Sequence, residues 1–227
     1  MIVGVLLAAG ASSRMGSPKA LVRLRGQSYL VRGVRALWSV CDTVIVVLGA
    51  DGKRVCRAAN EEFAELVAKG LAAPDLRGGP KHRSGELELR FAFNPRWADG
   101  MLSSARLGLA QALRHKPRGV LLMPVDQPDV QPATVQALGA MLEQALVSFG
   151  GKSVNGFAYG LVPRHRGHRG HPVAMSNALA AAVRRDRAAR DLSDGIRRNA
   201  RLVGYLDVAD KGVTTNQNTP PKRRAGG

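Results

Sequence analysis

The sequence predicts an α/β fold, a mainly parallel sheet flanked by helices, and three observations predict it. Short apolar runs at 2–7, 43–48 and 119–125 have the length and continuity of strands buried on both faces. Apolar residues between the first two recur at helical spacing. Strand and helix therefore alternate, the order that joins parallel strands through right-handed crossovers. With 227 residues, 45% hydrophobic and 4% aromatic, the chain can build one sizeable core. A single domain over 1–221 is expected, followed by a basic, glycine-containing tail at 222–227.

The first strand stops abruptly at Ala8-Ala9-Gly10, where almost no side chain separates the backbone from a ligand. Ser12, Ser13, Arg14, Gly16 and Lys19 follow, bringing donors, backbone freedom and two cations within reach of one polyphosphate. The spacing matches neither G-x-G-x-x-G nor G-x-x-x-x-G-K-[ST]. A small-residue loop also follows strands that bind no phosphate, so the loop alone leaves both readings open.

Tyr29, Leu30, Val34, Leu37, Trp38 and Cys41 make one apolar helix face. The strand Thr43 to Leu48 ends at Gly49-Ala50-Asp51, and a helix from about Lys53 to Ala72 turns Val55, Ala59, Phe63 and Val67 inward. Residues 74–85 carry prolines, glycines and four basic groups and read as a basic loop insertion. Alternation from Leu87 to Phe93 predicts a strand with one wetter face, near the sheet edge. In the segment 94–105, Ser103 or Ser104 is placed to cap a helix.

The run 119–125 ends at Asp126-Gln127-Pro128. A carboxylate just past a buried strand lies where open α/β sheets bind ligands, so Asp126 is the leading metal-ligand candidate. The competing role is a cap for the helix starting near Pro132. His165, His168 and His171 are spaced by three, but interleaved glycines and arginines without helical periodicity argue against a zinc cluster. A helix is expected at 177–183, and a last short strand at 203–208.

A formal net charge of +17 predicts attraction to polyanions such as nucleotides or phosphorylated small molecules. Specific nucleic-acid recognition is not expected, because aromatics able to stack on bases are few. Cys41 and Cys56 are too few for a disulfide framework and fall in apolar patterns, as buried free thiols do. No segment approaches 18 uninterrupted apolar residues, so no membrane span is expected and the cytoplasm is the default location.

The string L-A-A-G-x-S-x-R-M-G-x-P-K, running from Leu7 to Lys19, resembles the signature loop of the molybdopterin nucleotidyltransferases, the cytidylyltransferase branch in particular. The N-x-x-W-x-x-G-M-x-x-S segment from Asn94, V-D-Q-P at Val125, G-H-P at Gly170 and N-x-N-T-P at Asn216 resemble further motifs of that family. The matches extend from the first residue to about Pro220.

The resemblance implies a Rossmann-like, nucleotide-diphospho-sugar transferase-like fold. It implies magnesium-dependent transfer of a nucleotide from CTP or GTP to molybdopterin or a related phosphorylated acceptor, releasing pyrophosphate. On it, Leu7, Ala8, Ala9 and Gly10 hold base and sugar, while Arg14 and Lys19 neutralise the triphosphate. Asn94 and Ser103 line sugar and phosphates. Asp126 and, by its amide oxygen, Asn218 hold magnesium, and His171 and Arg169 face the acceptor. Ala9 stands where the guanylyl branch has a second glycine, which favours CMP transfer over GMP; the Asn-x-Asn ending argues for guanine. Three competing functions remain at this level: a sugar-phosphate or other small-phosphate nucleotidyltransferase, a non-catalytic nucleotide binder, and a basic nucleic-acid-binding protein.

Overall fold

The computed structural model describes residues 1–11, 17–69, 88–150 and 156–217. Its centre is β1 (Ile2–Ala8), flanked in parallel by β4 (Thr43–Leu48) and β6 (Gly119–Pro124), the three apolar runs of the sequence. Val3, Val5, Leu6, Val44, Val46, Val47 and Leu121 are fully enclosed, so each run is continuous because helices cover both faces of its strand. β5 (Glu88–Phe93) pairs in parallel with β4 and forms one edge, as its alternation predicts.

Helices α1 (Tyr29–Trp38), α2 (Gly52–Ala68) and α4 (Pro132–Gly150) lie on one face. Helices α3 (Met101–Arg114), α5 (Asn177–Arg185) and α6 (Leu192–Asn199) cover the other. A small hairpin, β2 (Arg23–Leu24) with β3 (Gln27–Ser28), precedes α1. Its two-residue turn places Arg25 and Gly26 at positive φ, as the twist of a tight hairpin requires. Ser28 then caps α1, its Oγ accepting from Val31 N–H at 3.2 Å, while buried Glu62 accepts from Ser28 N–H at 2.9 Å.

The other half of the sheet holds β7 (Tyr159–His165), β8 (His168–Arg169), β9 (Val173–Ser176) and β10 (Leu202–Asp207). The main strand order is β10-β7-β9-β6-β1-β4-β5, with β8 a short hairpin partner of β7. β9 runs antiparallel to both β6 and β7, and β8 antiparallel to β7, whereas β10 is parallel to β7, so the sheet is mainly parallel with β9 and the short β8 reversed.

Two expectations need correcting. In α2 the inward positions are Val55, Ala59, Phe63 and Leu66, while Val67 is 64% exposed, because a 3.6-residue period drifts off a strict spacing of four. Helix α3 begins at Met101 with Gly100 at its N-cap and no side-chain cap, so Ser103 and Ser104 sit inside its first turns. The 74–85 insertion and the 222–227 tail lie outside the described residues.

Candidate active site

From β1 the chain runs outward to β4 and β5, then returns to place β6 on the other side of β1. The crevice beyond the carboxyl ends of these strands is a topological switch point, where open α/β sheets bind ligands. A cleft of about 460 Å³ opens there. One wall is the end of β1, Leu7 to Ala11, and the floor is Pro124-Val125-Asp126 from β6. The facing wall is Trp97, Ala98, Gly100, Met101 and Ser104, at the N-terminal end of α3, where a helix offers unused N–H groups to an anion.

The walls are close because small residues let them be. A Cβ on Gly49, just past β4, would run into the Ala9 carbonyl oxygen and come within 2.7 Å of Trp97 Cβ. Ala50 N–H also reaches the Ala9 carbonyl at 3.5 Å, tying the end of β4 to the β1 loop. Val125 N–H donates to Leu7 O at 2.9 Å and does the same for β6.

Lys19 and Asp126 meet across the cleft, Nζ to Oδ2 at 3.4 Å, both about one-fifth exposed. The pair is long and reachable by solvent, a cation and a carboxylate that a charged ligand can separate. The capping role weighed for Asp126 belongs instead to Asp210. That carboxylate, 6% exposed, accepts from Gln131 N–H at 2.9 Å and Thr134 Oγ1 at 2.8 Å at the start of α4.

His171 follows β8. Its main-chain N–H donates to Val213 O at 2.9 Å, and its Nδ1 is buried with no partner among the described residues. Burial holds its pKa down to about 4, against the opposing pull of the Asp126 charge, so the ring is neutral at pH 7. Arg169 is exposed on β8, its guanidinium 5.3 Å above the Tyr205 ring, with Arg164 4.6 Å from the same ring. Arg164 is bound to Asp207 at 3.0 and 2.7 Å, which leaves Arg169 the more outward of the two cations.

The structure thus brings Leu7, Ala8, Ala9, Gly10, Lys19 and Asp126 together around one cleft. Asn94 and Ser103 stand behind its wall. Asn94 is 6% exposed and spends its Nδ2 on Ser103 and Ser104, both at 2.9 Å, while its Oδ1 accepts from Arg96 N–H. Ser104, one residue beyond the expected Ser103, reaches the cleft. Trp97 and Gly49 were not singled out as contacts, though Trp97 is the lone aromatic of its loop. Arg14 and Asn218 lie outside the described residues.

This fold and this cleft define a class: α/β enzymes that bind a nucleotide at the end of a parallel sheet and act on its phosphates. The MobA-like NTP transferase domain matches residues 4–202, and the chain belongs to that family of nucleotidyltransferases. The chain is 31% identical over 225 residues, 96% of its length and 92% of the relative's, to a protein of Paenarthrobacter nicotinovorans named nicotine blue oxidoreductase. A probable molybdenum cofactor guanylyltransferase of Opitutus terrae is 37% identical over 73 residues, 32% of this chain and 36% of that one. Among solved structures, Rv0371c of Mycobacterium tuberculosis superposes with a TM-score of 0.62 at 24% identity, covering 91% of this chain and 87% of that one. Its manganese complex superposes at 0.55, with 22% identity and coverage of 91% and 88%.

Proposed function

We propose that the protein transfers a nucleotide from a nucleoside triphosphate to molybdopterin or a related phosphorylated acceptor and releases pyrophosphate. The observation that carries this reading is the Lys19–Asp126 pair across a cleft at the switch point, with helix α3 starting on the facing wall. A phosphate monoester has a second pKa of about 6, so at neutral pH the acceptor is largely a dianion and needs no strong base. The obstacle is bringing two polyanions together, and cations held in fixed geometry remove it.

In this reaction an acceptor phosphate oxygen attacks the α-phosphorus, one P–O bond forms, and the bond to the β-phosphate breaks. Leu7 to Gly10 hold base and sugar, Arg14 and Lys19 neutralise the triphosphate and the leaving pyrophosphate, and His171 and Arg169 face the acceptor. The donor set fits a hard divalent cation. Asp126 on the cleft floor offers the carboxylate oxygen that such an ion takes. Asp126, with Asn218 as the second proposed contact, would hold magnesium, which would supply charge withdrawal from the phosphates. Gln217 N–H donates to the main-chain carbonyl of Asp126 at 2.8 Å.

Ala9, 5% exposed on the cleft wall, supports CTP over GTP, because its methyl narrows the space beside a purine. The name of the Opitutus relative and the Asn-x-Asn ending support GTP. Tenfold selectivity needs only about 1.4 kcal/mol, within reach of one methyl contact, and competition binding decides the base. The whole proposal is tested by incubating the protein with each triphosphate, magnesium and molybdopterin and measuring pyrophosphate. No pyrophosphate from any combination sinks it.

A second reading rests on the Paenarthrobacter relative, which aligns over nearly the whole chain and is named an oxidoreductase. On that reading the same cleft takes nicotine blue and a reductant. Loss of nicotine blue absorbance when a reductant is supplied, and no pyrophosphate with triphosphates, is the result that selects it.

A further inference from the structure

Two consecutive residues of the strap that follows β10 grip one loop. Gln217 N–H donates to Asp126 O at 2.8 Å, and Gln217 Nε2 donates to Asp129 Oδ2 at 3.2 Å. Gln127 Nε2 donates to Asn216 Oδ1 at 2.9 Å. On the other side of the loop, Arg32 Nε donates to Pro128 O at 2.9 Å, and its guanidinium lies 3.5 Å from Asp129 Oδ1.

The same strap holds the acceptor side. Val213 O accepts from His171 N–H at 2.9 Å, and a Cβ on Gly170 would collide with that carbonyl. Gly212 lies as close to the Asp129 carbonyl. Residues 210–217 therefore touch both the loop that carries Asp126 and the turn that carries His171.

Gln127 is the informative member. It is 3% exposed, its Nε2 is used on Asn216, and its Oε1 is buried and accepts nothing among the described residues. An apolar side chain of the same size would avoid that unmet acceptor, so stability alone does not favour an amide here. What the amide adds is a directed bond to the strap.

We infer that Gln127 is a positioning residue which, through Asn216, clamps the strap onto the loop and keeps Asp126 and His171 in one register. The inference rests on the transfer reaction proposed above, because register between the two sides matters only if both substrates react there. Gln127 touches neither of them. Groups that orient a metal ligand change metal affinity or activity about 10–100-fold when lost.

The test compares Gln127→Leu, Asn216→Leu, their double variant, and the exchange Gln127→Asn with Asn216→Gln, which restores an amide-to-amide bond with the lengths swapped. Three quantities are read: hydrogen exchange at the Gln217 amide, half-saturation for manganese with nucleotide present, and kcat and KM for each substrate. For Gln127→Leu the expected result is Gln217 exchange about tenfold faster, half-saturation about tenfold higher, and kcat about tenfold lower at unchanged nucleotide affinity. The double variant matches the worse single one, and the exchange variant recovers at least part of the loss. Unchanged Gln217 exchange and unchanged manganese half-saturation in Gln127→Leu overturn the inference, as do fully additive effects in the double variant. If the wild type forms no pyrophosphate, the transfer reaction fails, while amide exchange and manganese binding still decide the role of Gln127.

Discussion

The two halves of the sheet present opposite kinds of surface. On the β1-β4 side small residues shape the cleft: Ala8, Ala9 and Gly10 line it, and Gly49 lets a neighbouring strand end press against Ala9 O. On the β7-β10 side the surface is side chains, with Arg164 and Arg169 over Tyr205. The first half suits a group that every substrate of the reaction shares, the triphosphate. The second can vary residue by residue without disturbing a strand end, which suits the substrate that defines the particular enzyme.

The sharpest way to break this contrast is at the cation–carboxylate pair. Lys19→Ala and Asp126→Asn should each lower turnover about a thousandfold, about 4 kcal/mol of transition-state binding, with little change in thermal stability. Asp126→Asn should keep some affinity for metal-free nucleotide, because losing the negative charge relieves repulsion of the triphosphate. Calorimetry with and without magnesium checks that, and a fully active Asp126→Asn variant would show the site to be elsewhere.

Next in size is pH. The pKa of His171 is about 4 in the folded chain against 6.5 in the unfolded one, so the unfolded state binds the extra proton. Folding stability should therefore be intact above pH 6.5 and fall as pH drops toward 4, by at most about 3 kcal/mol from this group. His171→Asn should flatten that window in denaturant titrations at pH 7 and pH 4.5. No such change would mean the imidazole is solvated.

Glycine substitutions set the halves side by side. Gly49→Ala and Gly170→Ala both force a methyl into a carbonyl, and each should cost about 2 kcal/mol of stability by overpacking. Their kinetic signatures should differ: the first raises KM for the triphosphate, the second KM for the acceptor. Identical signatures would dissolve the division of labour. The smallest effect is expected from Arg169→Gln, a rise in acceptor KM worth about 1 kcal/mol with nucleotide affinity unchanged.

The same contrast decided what was legible in the sequence. A strand covered on both faces must be continuously apolar, so β1, β4 and β6 announce themselves, and with them the switch point, Lys19 and Asp126. The stretch 157–172 shows no helical period in the sequence and its strands stay hidden, because β8 has two residues and its turn depends on Arg166 adopting positive φ beside Gly167. The reversed β9 has only four residues, too few for a period to show. Contacts across long separations left no local trace either. Asp210 caps a helix that starts near Pro132, and nothing around Asp126 could reveal that the cap was already supplied from the far end of the sheet. Asn94 and Ser103 fell in the right segment, yet side-chain direction within a first helical turn is a matter of geometry, and Ser104 reached the cleft instead.

The strap also has a consequence in time. Its bonds to the Asp126 loop join residues 88 to 91 positions apart, whereas the pairing of β1, β4, β5 and β6 involves only residues before 125. A ribosome adding about 5–20 residues per second makes Gln217 on the order of ten seconds after Asp129. In that interval the strands β1, β4, β5 and β6 are already made, while the loop under Asp126 still lacks its clamp. On the reaction proposed above, the clamp on the Asp126 loop forms only once residues 216 and 217 have been made.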